Sequence, residues 1–169
     1  MSMSTEQKCI VKGGLSYDPM TGVFVWVEPT RFNPRLTGQR AGSIRGGYRR
    51  VWFGGKLWNE HRLAWLFVHG VDPAGDIDHI NGVRDDNRIA NLRIATQAQN
   101  SWNAGKRRTN TSGFKGVVWN AWSKKFQAQI MANRKQKHIG YFSTAQEAAA
   151  AYDRAAADLH GDFANGNRT

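Results

Sequence analysis

The sequence predicts an α+β fold: a β-rich N-terminal segment, a short strand–loop–strand–helix core, and a C-terminal three-stranded antiparallel sheet packed on one α-helix. Three observations predict it. Residues sort to two alternating faces with period two over 23–27, 117–120 and 126–131, as strands require. Glycine-rich turn signals punctuate the first third of the chain. A capping box opens a single alanine-rich helix near the C-terminus.

Taken in order, Asp18-Pro19-Met20-Thr21-Gly22 is a turn signal. After it, Val23, Val25 and Val27 alternate with Phe24 and Trp26. Gly54-Gly55 can adopt the positive φ angles of a two-residue turn, which makes residues 48–58 a hairpin. Residues 28–47, rich in Gly, Pro and Arg, read as a long loop. Residues 60–69 are apolar nearly all round and read as a buried helix stopped by Gly70 and Pro73. A polar stretch over 76–91 leads to a short strand at 92–96 and a short polar helix at 97–103. Residues 104–112 (AGKRRTNTS) lack periodicity and read as a basic linker, whose extended reach is about 30 Å. Beyond it, Val117 and Trp119 alternate with Val118 and Asn120, and Phe126, Ala128 and Ile130 with Gln127, Gln129 and Met131; Ile139 and Phe142 close a third strand. Thr144 and Glu147 form the capping box, Ala148, Tyr152, Ala155 and Leu159 share a face, and Gly161 stops the helix. The expected organisation is a domain over 1–103, with hairpins at 14–59 and a core at about 60–103, then the linker 104–112 and a second domain over 113–169.

Composition narrows the function. The 169 residues carry 24 Lys plus Arg against 13 Asp plus Glu, a net charge of +11. Split along the chain, residues 1–60 hold +5, residues 61–103 hold −1 and residues 104–169 hold +7. Basic flanks with interleaved aromatics around a near-neutral centre favour a polyanion, most simply double-stranded DNA. No apolar run approaches the roughly 20 residues that span a bilayer, so no membrane partner is expected. The start has no apolar signal-peptide core. A lone cysteine, Cys9, excludes an internal disulfide framework and a Cys-rich zinc site. A soluble, cytoplasmic protein of a reducing compartment is the expectation.

The chemistry concentrates in Asp76-Ile77-Asp78-His79-Ile80-Asn81-Gly82. A strand, loop, strand and helix within about 25 residues can gather Asp78, His79, Asn91 and Asn100. Asp78 and Asn100 offer hard oxygen ligands suited to a divalent metal, Mg²⁺ or Mn²⁺. His79 titrates near neutrality and can take a proton from water as a general base. Asn91 can orient it through its side chain or through the backbone it anchors. On spacing alone, Asn91 also suits a turn and Asn100 a solvated helix position. Asp85 and Asp86 read as loop-capping groups, and His61, His69 and His160 as packing or surface residues.

HRLAW, DIDHINGVRDDNRIANLRIAT and QNSWN, within residues 61–103, resemble the HNH endonucleases of phages and mobile introns. That resemblance implies a ββα-metal (His-Me finger) nuclease core. It implies His79 as general base, Asp78 and Asn100 as ligands of a single divalent metal, and Asn91 as the middle Asn that orients the base. Asn100 in place of a His resembles the intron-type branch and points away from zinc. The upstream YDPMTGVFVWV and AGSIRGGYRRVWFGGKLWNEHR resemble the usual preface of such enzymes.

Residues 112–167, with SGFKGVVWN, KKFQAQI, HIGYFSTAQEAAAAYDRAA and LHGDFANGN, resemble the Apetala-two (ethylene-response-factor) DNA-binding domain. It implies a sheet laid in the major groove with the helix bracing its back. Alternation puts Lys115, Asn120, Gln127, Gln129, His138 and Tyr141 on the face away from the helix, where amides can read bases. Arg134, Lys135 and Lys137, with Lys106, Arg107 and Arg108 of the linker, suit phosphates. Together the resemblances imply a site-selective DNA endonuclease of the phage or intron homing type, acting in a bacterial or phage-infected host cell. With one motif per chain a monomer nicks one strand, and monomer and homodimer both stay open. The alternative is a DNA-binding regulator with an inactive nuclease motif.

Overall fold

Short antiparallel ladders closed by tight turns supply most of the architecture. The computed structural model describes residues 10–28, 34–132 and 135–167, and the chain divides into two compact units, Met1–Thr96 and Gln97–Thr169.

In the first unit, β1 (Ile10–Lys12), β2 (Leu15–Asp18) and β3 (Val23–Trp26) form a meander in that order. The Asp18 carboxylate closes the β2–β3 turn by accepting from the Met20 amide at 2.9 Å and the Thr21 hydroxyl at 2.7 Å. A second meander comprises β4 (Ser43–Arg45), β5 (Tyr48–Phe53) and β6 (Lys56–Asn59). Gly46-Gly47 and Gly54-Gly55, all with positive φ, make its turns. β4 corrects the reading of residues 28–47 as one long loop, because Gly46-Gly47 repeats the signal recognised at Gly54-Gly55.

The apolar run becomes α1 (Glu60–His69), ended by left-handed Gly70, whose N–H donates to the Leu66 carbonyl. Its Leu63, Ala64 and Phe67 join Leu15, Tyr17, Phe24 and Val51 in the core. The Phe67 ring meets Tyr17, Phe24 and Phe53 edge-on, contacts worth about 0.5–1.5 kcal/mol each beyond area burial. At the head of this helix two polar residues, Glu60 and His61, are also buried. β7 (Asp76–His79) then pairs antiparallel with β8 (Leu92–Ala95), from Asp76 opposite Ala95 to His79 opposite Leu92.

The second unit opens with α2 (Gln97–Asn103). Residues 104–112 lie in the same unit and are not an extended span. The Asn110 amide donates to the Arg107 carbonyl, Lys106 Nζ to the Gly113 carbonyl and Asn110 Nδ2 to the Phe114 carbonyl. β9 (Val117–Asn120), β10 (Lys125–Ala132) and β11 (Lys135–Phe142) form a sheet ordered β11-β10-β9, with α3 (Ala145–His160) packed on it. Both halves of the capping box are made. The buried side of α3 runs through Ala148, Tyr152 and Ala156 to His160, leaving Leu159 exposed, a rotation from the expected face. His160 closes that end by hydrogen-bonding the Met131 carbonyl and stacking on Trp102.

Candidate active site

β7 delivers Asp78 and His79 side by side at the end of the strand, with only 4% and 5% of each residue exposed. Residues directly opposite in an antiparallel pair share a face, and Arg93 stands opposite Asp78. Its Nε and Nη2 lie 2.8 and 2.7 Å from Asp78 Oδ2, which compensates the buried charge.

The loop after His79 is tied down by Asn91, at the end of a 3-10 turn leading into β8. Asn91 Oδ1 accepts from the Asn81 amide, and Asn91 Nδ2 donates to Asn81 Oδ1 and the Asp86 carbonyl, all within 3.0 Å. The Ile80 amide donates to the Asn91 carbonyl. These bonds anchor the backbone of the loop that follows His79. Asp86 bonds Asn81 and Arg88, a loop-capping role, while Asp85 meets Arg49 and Arg40.

The amide beside the imidazole is Asn87, which the sequence reading did not single out. Its Oδ1 lies 3.2 Å from His79 Nε2, and its Nδ2 donates to Glu60 Oε2 at 3.2 Å. Asn87 is 1% exposed and Glu60 fully buried. A charged residue heading an otherwise apolar helix was the available signal for Glu60. Asn87 carried none, because an Asn in a polar stretch reads as loop. His61, expected as a packing residue, packs against the site itself: its ring is 5.1 Å from His79 and nearly perpendicular to it, with Tyr48 beside both rings. Arg84 lies over Tyr48.

Burial holds the His79 imidazole below its ordinary pKa, against the opposing pull of Asn87 and Asp78. Burial, and then the neighbouring His79, push His61 down to about 3. Both rings are thus neutral at pH 7, and His79 is in the form that accepts a proton. Burial also pushes Glu60 up to about 8, outweighing the nearby Arg49 and Arg40.

Asn100 stands half-buried on α2, in the second unit. The proposed ligand chemistry, a carboxylate and an amide oxygen, suits a hard divalent ion. Among the described residues no three His, Cys, Asp or Glu side chains form a metal-holding group.

In the second unit the register puts Gln127 opposite Val118 and Tyr141, and Gln129 opposite His138, on one face of the sheet. Asn120 Nδ2 lies 3.4 Å from Gln127 Oε1, and Gln127 Nε2 lies 3.4 Å from Gln129 Oε1 and 3.2 Å from His138 Nδ1. Tyr141 packs on His138. Lys135 and Lys137 are exposed, but pair with Ala132 and Ile130 and so belong by register to the opposite face of the edge strand. Arg107 and Arg108 are exposed, and Arg134 lies outside the described residues. Lys115 requires a correction: its ammonium turns inward and donates to the Trp102 and Asn165 carbonyls, and burial pulls it down to about 8. β9 begins only at Val117, so strand parity does not extend back to it. Trp122, in the β9–β10 turn, is 94% exposed and was not singled out by the sequence.

Parts of the chain are similar to known proteins. Residues 60–102 match the HNH endonuclease family model. The chain is 32% identical over 122 residues to Protein 3.8 of Escherichia phage T7, covering 72% of this chain and 98% of that protein. It is 30% identical over 125 residues to a protein of Acanthamoeba polyphaga mimivirus described as an uncharacterized HNH endonuclease, covering 73% of this chain and 64% of that one. The matched segment runs from buried Glu60, through Asp78, His79, Asn87 and Asn91, to α2, so the chain carries a segment similar to the HNH endonucleases.

Proposed function

We propose that this protein is a site-selective DNA endonuclease of the homing or nicking type, with His79 as the general base. The observation that carries the reading is a neutral, buried imidazole, held by an amide and adjacent to a buried carboxylate at a strand end. His79 takes the proton of the attacking water. Asn91 holds the loop that follows it. Asp78 and Asn100 are the proposed ligands of one divalent ion, Mg²⁺ or Mn²⁺, within a ββα-metal core. Such an ion supplies charge compensation for the leaving oxygen.

Site selection is assigned to the Apetala-two-like sheet, whose half-buried amides suit bidentate contacts to adenine. Lys106, Arg107, Arg108, Lys135 and Lys137 are proposed to meet phosphates. Relatives in a phage and a giant virus support an infected host cell as the place of action. The experiment is supercoiled plasmid incubated with Mg²⁺ or Mn²⁺, with and without chelator. Conversion to the nicked circle that stops on chelation is expected. Binding without nicking under any divalent ion would replace this reading with the DNA-binding regulator.

A further inference from the structure

We infer that Glu60 and Asn87 are positioning residues for His79: the Glu60 carboxyl fixes the Asn87 amide with its oxygen toward His79 Nε2, so the ring hydrogen sits on Nε2 and the lone pair on Nδ1. This rests on the reading of His79 as the general base.

An Asn amide placed between two partners can present either end to each. Here Asn87 Nδ2 lies 3.2 Å from Glu60 Oε2. That oxygen accepts whether the carboxyl is ionised or carries its proton on Oε1. Asn87 Oδ1 is then the atom left for His79 Nε2, 3.2 Å away, and an amide oxygen only accepts. The hydrogen therefore belongs to Nε2.

Two features separate this chain of contacts from ordinary packing. Glu60 is fully buried and its Oε1 has no hydrogen-bond partner among the described residues. An unsatisfied buried polar atom costs about 1–3 kcal/mol, and an apolar residue would fill the same space without that cost. The surroundings are also cut to fit the pair. A Cβ on Gly42 (φ +74°) would sit 2.5 Å from the Arg50 carbonyl oxygen and 3.0 Å from Glu60 Oε1. A Cβ on Gly22 (φ +72°) would sit 2.5 Å from the Asn87 carbonyl carbon. From the first meander, the buried Tyr17 hydroxyl, kept protonated by that burial, donates to the Asn87 carbonyl at 2.8 Å. Both N-terminal meanders thus press on this pair, which gives the preface a role in setting the base.

The test uses the full chain as wild type, Glu60→Leu, Glu60→Gln and Asn87→Ala. Imidazole nitrogen NMR, with the His79 signals assigned by their loss in His79→Ala, reports which nitrogen carries hydrogen. Single-turnover and steady-state nicking report kcat and KM. Wild type and Glu60→Gln should carry the hydrogen on Nε2. Glu60→Leu and Asn87→Ala should populate the Nδ1 form and lose about 10- to 100-fold in kcat, with KM for DNA unchanged within about twofold. Glu60→Leu keeps the side-chain bulk, so a purely structural role predicts no such loss. Hydrogen on Nδ1 in the wild type, or on Nε2 in both Glu60→Leu and Asn87→Ala, overturns the inference. Should either variant fail to fold, the wild-type spectrum and the other variant decide. Absence of nicking by the wild type would strike the general-base reading alone, since the spectra do not depend on turnover.

Discussion

The two units handle polar side chains in opposite ways. In the first, Asp78, His79, Asn87, Asn91 and Glu60 are buried and held by specific bonds. In the second, Asn120, Gln127, Gln129 and His138 form a ladder on an open sheet face, bonded loosely to one another. Buried polar groups are costly unless satisfied, so the first arrangement has one geometry and suits chemistry. Half-exposed amides exchange partners at less cost than buried ones, so the second suits reading a surface. On the proposed reading, the difference separates a site that must be rigid before substrate arrives from a face that can adjust to it.

The sharpest way to break that contrast is Asp78→Asn, which keeps a hydrogen-bond partner for Arg93 but removes the charge. Cleavage should fall by about 10²–10³-fold while DNA affinity, measured by fluorescence anisotropy, holds or rises. Equal loss of both would count against a ligand role. Next, Asn91→Ala deletes three bonds to the loop after His79. It should cost about 1–3 kcal/mol in denaturant unfolding and slow cleavage, and a stability change without a rate change would detach the loop from the chemistry.

On the open face, Gln127→Ala with Gln129→Ala should leave stability within about 0.5 kcal/mol. Cleavage mapped on a randomised DNA library should lose discrimination at the contacted bases, where each bidentate contact is worth about 1–3 kcal/mol. An unchanged map would take specificity away from this face. A pH slope is also expected. Burial raises Glu60 to about 8 from an ordinary 4.5, with Arg49 and Arg40 favouring its ionised form and Asp85 opposing it. The folded state then binds the proton more tightly than the unfolded one, so stability falls as pH rises from about 4.5 to 8. Glu60→Gln should flatten that fall, read as a melting-temperature advantage over wild type that grows with pH.

What was legible in the sequence follows from the range of each interaction. The Asp18 turn, the Gly70 stop and the Thr144–Glu147 box rest on residues within a few positions of each other, and each formed as expected. Asp78 and His79 were legible as a compact motif at a strand end. Asn87 and Glu60 were not, because 27 residues separate them and only the packing of α1 against the β7–β8 loop joins them. Lys115 misled because alternation was carried past the first residue of β9. Leu159 misled because α3 presents the stripe of Ala148, Tyr152 and Ala156, which a pattern of apolar residues alone does not choose over its neighbour.

The central claim is that one imidazole carries the chemistry and little of the binding. Its most direct measurement is nicking rate and DNA affinity in the same preparation for wild type and His79→Ala, each checked for an intact melting transition. Loss of about 10²–10⁴-fold in rate with affinity unchanged is the predicted result. Nicking by His79→Ala at the wild-type rate, or rate and affinity falling together, would contradict it.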